Sequence, residues 1–164
     1  MRDRWYHTYG YGNLRDYPLA DDKYGLEQLI DRYPFIDGER VGIFGHSGGG
    51  FMSTAAICTY PDFYKAAVSS AGNHDNNIYN IWWGETHHGI KERVVTEKKK
   101  VKNPVTGKDS TITVKTVEFE KPNIPTNIEL ASRLKGHLLL VAGDADNNVH
   151  PANTMRMVDA LMKA

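Results

Sequence analysis

Cysteine is nearly absent: Cys58 stands alone, so the chain can form neither an internal disulfide nor a cysteine-rich zinc site. Charge of one sign is not in excess. Twenty Lys and Arg balance twenty Asp and Glu, which removes any general pull toward nucleic acid or an anionic membrane. No apolar run approaches the ~20 residues that cross a bilayer. The start, Met1-Arg2-Asp3-Arg4-Trp5-Tyr6, has no apolar centre of the secretory-signal kind. Internal repeats and low-complexity tracts are lacking too. What remains is 164 residues, 40% hydrophobic and 24% charged, enough for one globular domain with a sizeable core. Cys58 is expected to pack inside a helix.

The most informative stretch is Val41-Gly42-Ile43-Phe44-Gly45-His46-Ser47-Gly48-Gly49-Gly50. A short apolar strand runs into Gly-x-Ser-x-Gly, and the small-residue stretch Phe51 to Ala56 follows. This is the sequence form of a nucleophile elbow, in which a sharp strand-to-helix turn presents a serine. Glycines two before and two after that serine let neighbouring backbone pass without a Cβ clash. Ser47 is the candidate nucleophile, and the Gly48 N–H the candidate oxyanion donor. A phosphate-binding loop is excluded because no Gly-Lys-Ser/Thr follows, and the G-x-G-x-x-G spacing of dinucleotide sites is missing.

The rest of the chain alternates helix and strand, which predicts an α/β fold with a mainly parallel sheet and helices on both faces. The first twenty residues read as loop. A helix is expected from Ala20 to Tyr33, with Leu26, Leu29, Ile30 and Tyr33 on one face, stopped by Pro34. Strands are expected at Val41–Phe44, Lys65–Ser70 and His137–Ala142, and helices to about Tyr60-Pro61, at Ile124–Leu134 and at Asn153–Ala164. In the last of these Met155, Val158, Leu161 and Met162 are expected inward. Residues 91–121 stand apart: Lys98-Lys99-Lys100, the turn signals Asn103-Pro104-Val105-Thr106-Gly107, then alternation from Thr111 to Phe119. They read as a solvated basic β-hairpin. Its lysines either form a charged, solubilising surface or meet an anionic partner.

A second constellation, Gly143-Asp144-Ala145-Asp146-Asn147-Asn148-Val149-His150, follows directly on an apolar strand. Functional groups collect at the carboxyl ends of strands in open α/β sheets, and an acid after the serine fits the hydrolase order Ser, Asp, His. Asp146 is the candidate acid, there to orient and stabilise a histidine; the plain alternative is that Asp146 or Asn147 caps the next helix. A calcium loop is excluded, because Val149 and Met155 stand where glycine and glutamate are needed.

Together Gly45-His46-Ser47-Gly48-Gly49-Gly50, Asn76-Asn77-Ile78-Tyr79-Asn80-Ile81-Trp82-Trp83 and Asp144 to His150 resemble the catalytic domain of the prolyl oligopeptidase family, nearest its dipeptidyl peptidase IV branch. The resemblance covers almost the whole chain except 91–121, which looks like an insertion. It implies a partial α/β-hydrolase fold and a serine peptidase with Ser47 as nucleophile and Asp146 as triad acid. Tyr79 and Trp83 would wall the pocket for the residue before the scissile bond. Asn148 would bind a substrate carbonyl, and Val149 would line the same pocket. Proline or a small residue suits such a wall, since flat aromatic faces pack on a compact pyrrolidine ring; without the resemblance, Tyr79 and Trp83 could equally be core.

The pattern departs from that branch in three places. Gly48 stands where tyrosine is usual. The oxyanion tyrosine would lie upstream of Met1. The triad histidine would lie beyond Ala164, and the amino-terminal propeller is absent. The chain is therefore expected to be a truncated domain, nearly inactive alone and possessing a tendency to self-associate. None of His7, His46, His74, His87, His88, His137 and His150 sits in a motif for the base. No metal or organic cofactor is implied. The partners implied are a peptide substrate and the remainder of the same protein, without nucleic acid or membrane; the resemblance implies a periplasmic or secreted location. Two other readings stay open: a small-ester or lactone hydrolase on the same scaffold, and a non-catalytic binding module using the hairpin.

Overall fold

The computed structural model describes residues 2–102, 104–120 and 122–164. They divide into two compact units: one formed by the segments up to His88 and from Asn123 onward, the other Gly89–Pro122.

In the first unit a single-turn helix α1 (Arg4–Thr8) and a series of turns lead to α2 (Leu19–Arg32). Strand β1 (Val41–His46) then runs straight into α3 (Gly48–Thr59), with only Ser47 between them. Strand β2 (Tyr64–Ser70), helix α4 (Ile81–His88), a short 3-10 helix at Ile128–Arg133, a strand at His137–Val141 and a final helix at Ala152–Lys163 complete it. Between α4 and the 3-10 helix lie β3 (Lys91–Lys102) and β4 (Asp109–Glu120), so the later strand is β5 and the last helix α5.

The sheet order is β1-β2-β5, all parallel. Ile43, Ala67 and Leu138 lie in one register row and turn toward α3, whose residues Ala55, Ala56, Ile57 and Cys58 are 0–1% exposed. Leu19, Tyr64 and Leu130 complete this core. Burial pushes the Cys58 thiol up to about 11, so it packs as a small apolar side chain. The next row carries Phe44, Val68 and Leu139, which are 86%, 39% and 58% exposed. The two-sided helix cover expected of this fold is therefore not completed within the described residues. No helix of the described residues is long and apolar enough to cross a membrane.

Four elements differ from expectation. Within the first twenty residues, expected as loop, α1 forms at Arg4–Thr8, capped by Asp3, which accepts the Tyr6 N–H at 3.1 Å. The expected helix at Ile124–Leu134 shrinks to one 3-10 segment, because Pro125 biases Ile124 away from the helical region and Ile124 is held at both its N–H and its C=O by the Asn77 amide. In α5 the buried stripe is Asn153, Thr154 and Met157, while Met155 and Met162 are 63% and 82% exposed. The polar Asn153, bonded to the Asp75 N–H at 3.0 Å, sets that face. In α2, Leu19 is buried and Leu29 is 45% exposed.

The second unit is an antiparallel hairpin pairing Lys91 with Glu120 through to Lys102 with Asp109. Gly107 takes φ +66° in its connection. Asn103 and Lys121, which the expected boundaries include, lie outside the described residues. Because Lys91 and Glu120 are direct partners, the two ends of the hairpin sit ~5 Å apart. None of its residues belongs to the core cluster. Replacing residues 91–120 by Gly-Gly is therefore expected to leave the thermal midpoint of the remainder within about 3 °C, an effect of roughly 1 kcal/mol or less. A calorimetric scan in which cooperative melting disappears would show that the hairpin is integral.

Candidate active site

The elbow is built by backbone geometry. Ser47 has φ 56° and ψ −120°, a region that a side-chain-bearing residue adopts only when its surroundings impose it. They do so here from two sides: its N–H donates to the Ser70 carbonyl at 2.8 Å, and its carbonyl accepts from Phe51 N–H at 3.0 Å. A Cβ at Gly45 would lie 2.3 Å from the Gly49 backbone, and one at Gly50 would lie 2.7 Å from the Ser70 carbonyl. So Gly45 and Gly50 are the close-approach glycines. Gly49, two after the serine, has open space where its own Cβ would be; it is the backbone that Gly45 admits.

The first turn of α3 is held by three side chains. Ser53 Oγ donates to the Gly49 carbonyl at 2.7 Å, Ser69 Oγ to that of Gly50 at 2.8 Å, and Asn127 Nδ2 to that of Phe51 at 2.8 Å. The first N–H groups of a helix have no intrahelical acceptor. Among the described residues, the Gly48 N–H has no other one.

The strand ends His46, Ser70 and Val141 are register partners, so Ser47 and the loop after β5 leave the same rim of the sheet, two strand spacings apart. In that loop Asp146 Oδ1 accepts the N–H groups of Asn148 and Val149 at 2.9 and 3.0 Å. Among the described residues Oδ2 takes no hydrogen bond. Asp146 does not cap α5: the N-cap is Pro151, and the Ala152 N–H is accepted by His150 Nδ1 at 3.1 Å.

Tyr79 and Trp83 meet edge to face, with ring centroids 5.7 Å apart. The Tyr79 hydroxyl donates to Asn148 Oδ1 at 2.7 Å, which ties the aromatic segment to the acid loop and leaves the Asn148 NH₂ as the amide's outward donor. Val149 is 4% exposed, beneath this loop rather than on its surface. A cavity of about 220 Å³ lies beside the elbow, lined by Leu14, Tyr17, Pro18, Gly48, Phe51, Met52 and Trp83.

The histidines are engaged elsewhere. His46 Nδ1 meets Ser70 Oγ at 3.0 Å. His87 Nδ1 donates to the Trp83 carbonyl at 2.9 Å while its ring tilts against Trp83. His88 is buried and lies against Trp83. His137 opens β5, at the rim away from Ser47, and His7 lies in α1 beside Tyr6. His74 is fully buried. Among the described residues no hydrogen bond joins His7, His46, His74, His87, His137 or His150 to Ser47 or Asp146. No group of three His, Cys, Asp or Glu among them is placed to hold a metal.

Sequence reasoning missed the segment Asn73 to Asn76, buried throughout. Asn73 donates to Asn76 at 2.5 Å, and Asp75 pairs with Arg156 at 3.0 Å. Asn127 Nδ2 lies 3.1 Å from His74 Nδ1. The available signal was a run of seven polar or small residues, Ala71 to Asn77, directly after β2, at the rim where function collects. Arg15 was missed as well. It donates to the Thr126 carbonyl at 2.6 Å and pairs with Glu129 at 3.3 Å, and so pins the loop that carries Leu14, Tyr17 and Pro18.

A strained serine between a parallel strand and a buried helix, with an acid loop two strands over, defines an α/β-hydrolase. The chain belongs to the prolyl oligopeptidase family, whose profile matches residues 1–164. It is 27% identical over 146 residues to human dipeptidyl peptidase 8, covering 89% of this chain and 14% of that protein. It is 26% identical over 162 residues to mouse prolyl endopeptidase FAP, covering 99% and 18%. The crystal structure of Porphyromonas gingivalis dipeptidyl peptidase 4 superposes with TM-score 0.73 at 25% identity, covering 99% of this chain and 20% of that one. The chain thus spans between a seventh and a fifth of the length of these proteins.

Proposed function

We propose that this chain carries the nucleophile and the acid of a serine peptidase that cleaves peptide bonds by acyl transfer. The observation that carries this is Ser47 at φ 56° on the rim that also bears Asp146. Ser47 Oγ attacks the substrate carbonyl as a histidine takes its proton. Asp146 Oδ2 holds that histidine's other N–H, and the Gly48 N–H receives the oxyanion. The histidine then protonates the leaving amine, and water releases the acyl-enzyme. Strands two places apart are separated by ~10 Å, a gap that an imidazole with a hydrogen bond on either side closes once the loops lean together. The engagements of the described histidines support a base supplied from outside residues 1–164. The family likeness supports the Tyr79–Trp83 wall as the seat of the residue before the scissile bond, with proline or a small residue accepted and Asn148 donating to a substrate carbonyl. The hairpin is proposed to be an insertion in this one domain.

The test compares this chain with a version extended into its flanking coding sequence at both ends. Fluorophosphonate should label Ser47 in the extended version, which should also hydrolyse a chromogenic Xaa-Pro amide. The 164-residue chain should be slower by orders of magnitude, since one oxyanion donor alone is worth roughly 3–4 kcal/mol. An extended version that hydrolyses simple esters but no peptide amide would replace the peptidase with an esterase. One whose Ser47 stays unlabelled would leave a binding module.

A further inference from the structure

We infer that the free edge of β3 takes an extended peptide segment as a third strand of the hairpin, one that carries glutamate or aspartate at every second position. The inference goes beyond the peptidase reading and stands whether or not Ser47 is a nucleophile.

Two features of the hairpin point to this occupant. The first is how its charges are sorted. Side chains alternate between the faces of a strand, and residues directly opposite in an antiparallel pair share a face. The register therefore sets Lys91 opposite Glu120 and Arg93 opposite Glu118 on one face, with Glu97 and Lys99 farther along it. Lys99 also meets Glu97 at 3.5 Å. That face carries three cations and three acids. The other face holds Lys98, Lys100 and Lys102 opposite Thr113, Thr111 and Asp109, and Lys115 opposite Thr96. All four of these lysines are exposed, and among the described residues none of them makes an ion pair. Asp109 is the acid that shares their half of the face; Glu92 stands at the opposite end of the hairpin.

The second feature is the edge. The sheet has two strands, so β3 presents a row of N–H and C=O groups on its outer side with no strand against them among the described residues. Lysines on an edge keep strands apart in general, but that role does not require them to gather on one face. Their column instead discriminates among strands. Two β3 edges brought together antiparallel about Lys100 would set Lys98 against Lys102, and like charges directly opposite are destabilising. A strand with alternate acids does the reverse. Both chains repeat a face every ~6.8 Å, two residues at ~3.4 Å each, so one carboxylate falls beside each of Lys98, Lys100 and Lys102. Its backbone completes the ladder, and a third strand stabilises a ribbon that is marginal with two. Main-chain bonds supply affinity, and the alternate side chains supply selectivity. A polynucleotide or a sulfated saccharide meets the lysines but brings no row of amides to the edge.

The experiment measures fluorescence anisotropy of labelled, acetylated and amidated peptides with the whole 164-residue chain. The probe is Glu-Thr-Glu-Val-Glu-Thr-Glu. One comparison peptide has the same composition with its four glutamates in a block. Two others are the probe N-methylated at alternate residues, one in each phase. The probe should bind at least about tenfold tighter than the blocked peptide, the combined scale of three exposed ion pairs, and N-methylation in one phase should cost a similar factor. Lys98→Gln, Lys100→Gln and Lys102→Gln together should also weaken the probe about tenfold, whereas Lys91→Gln and Lys99→Gln together, on the other face, should change it less than about twofold. The peptide comparisons use the unsubstituted chain and hold even if a variant fails to fold. No binding of the probe, equal binding of the alternating and blocked peptides, or indifference to N-methylation in both phases overturns the inference. Tighter binding of an oligothymidylate of equal charge also overturns it, and makes the lysine face a general polyanion surface.

Discussion

Asp146→Asn is expected to lower kcat of the extended version roughly ten-thousand-fold with KM little changed. The substitution is nearly isosteric, and the loop should survive it. Asparagine Oδ1 can still accept the N–H groups of Asn148 and Val149, now bonded at 2.9 and 3.0 Å. What changes is the other end of the side chain, where an NH₂ donor replaces the Oδ2 acceptor. A histidine that donated to that oxygen must turn its acceptor nitrogen toward the amide, which puts its proton on the side facing Ser47. In that tautomer it cannot take the serine proton. Ser47→Ala should cost as much or more, and the double variant little more than Ser47→Ala alone, because groups that act as a unit do not add. Asp144, on the same loop, supplies the control: Asp144→Asn should keep most of the activity. Steady-state kinetics on the three single variants decide the matter. If Asp146→Asn retains a tenth or more of wild-type kcat while Asp144→Asn loses it, the acid has been assigned to the wrong carboxylate.

The elements that could be read ahead are those whose signal is local. Val41 to Phe44 is apolar and short, and Gly45 to Gly50 has the composition of a turn that must be tight, so strand, serine and helix were legible together. The continuous run Leu138 to Val141 was legible as a parallel strand for the same reason, but not its burial: Leu139 and Val141 stay 58% and 43% exposed. What could not be read depends on partners distant in the chain. The helix expected from Ile124 gave way to Asn77, 47 residues earlier, whose amide claims Ile124 at both polar groups. The inward face of α5 is rotated because Asn153 answers Asp75, 78 residues away; a periodicity count that scores only apolar residues cannot see a polar anchor. The Leu14–Pro18 wall is loop in any local reading, and it becomes a site feature only through the Arg15 bond to Thr126, 111 residues on. Gly50 was one residue off the motif's own spacing, because the motif marks where glycine recurs and not which neighbour crowds it.

His74 gives the second large effect, on stability and not on chemistry. Its side chain is fully buried, and burial lowers its pKa from 6.5 to about 4. The hydrogen bonding acts the same way. Asn127 Nδ2 is a donor, so the His74 Nδ1 that faces it at 3.1 Å must be the acceptor, and the proton sits on Nε2. Charging the ring would put a second proton on Nδ1, against that donor. The unfolded chain binds this proton near pH 6.5 and the folded chain only near pH 4, so between them the unfolded state holds more protons and stability rises with pH. The contribution is intact above pH 6.5, falls as pH drops through the window, and is lost by about pH 4. A shift of this size corresponds to about 3 kcal/mol. His74→Gln carries no titrating ring, so its unfolding free energy should lack this component whatever its absolute level. Urea titrations of the wild-type chain and of the variant from pH 4 to pH 7 should give curves that diverge by about 3 kcal/mol in slope-derived stability across the window. Parallel curves would mean that His74 takes up its proton in the folded state as readily as in the unfolded one. The same Asn127 amide also donates to the Phe51 carbonyl, so protonation of His74 would disturb the first turn of the helix that presents Ser47. Acid should therefore reach the nucleophile through this buried pair of side chains.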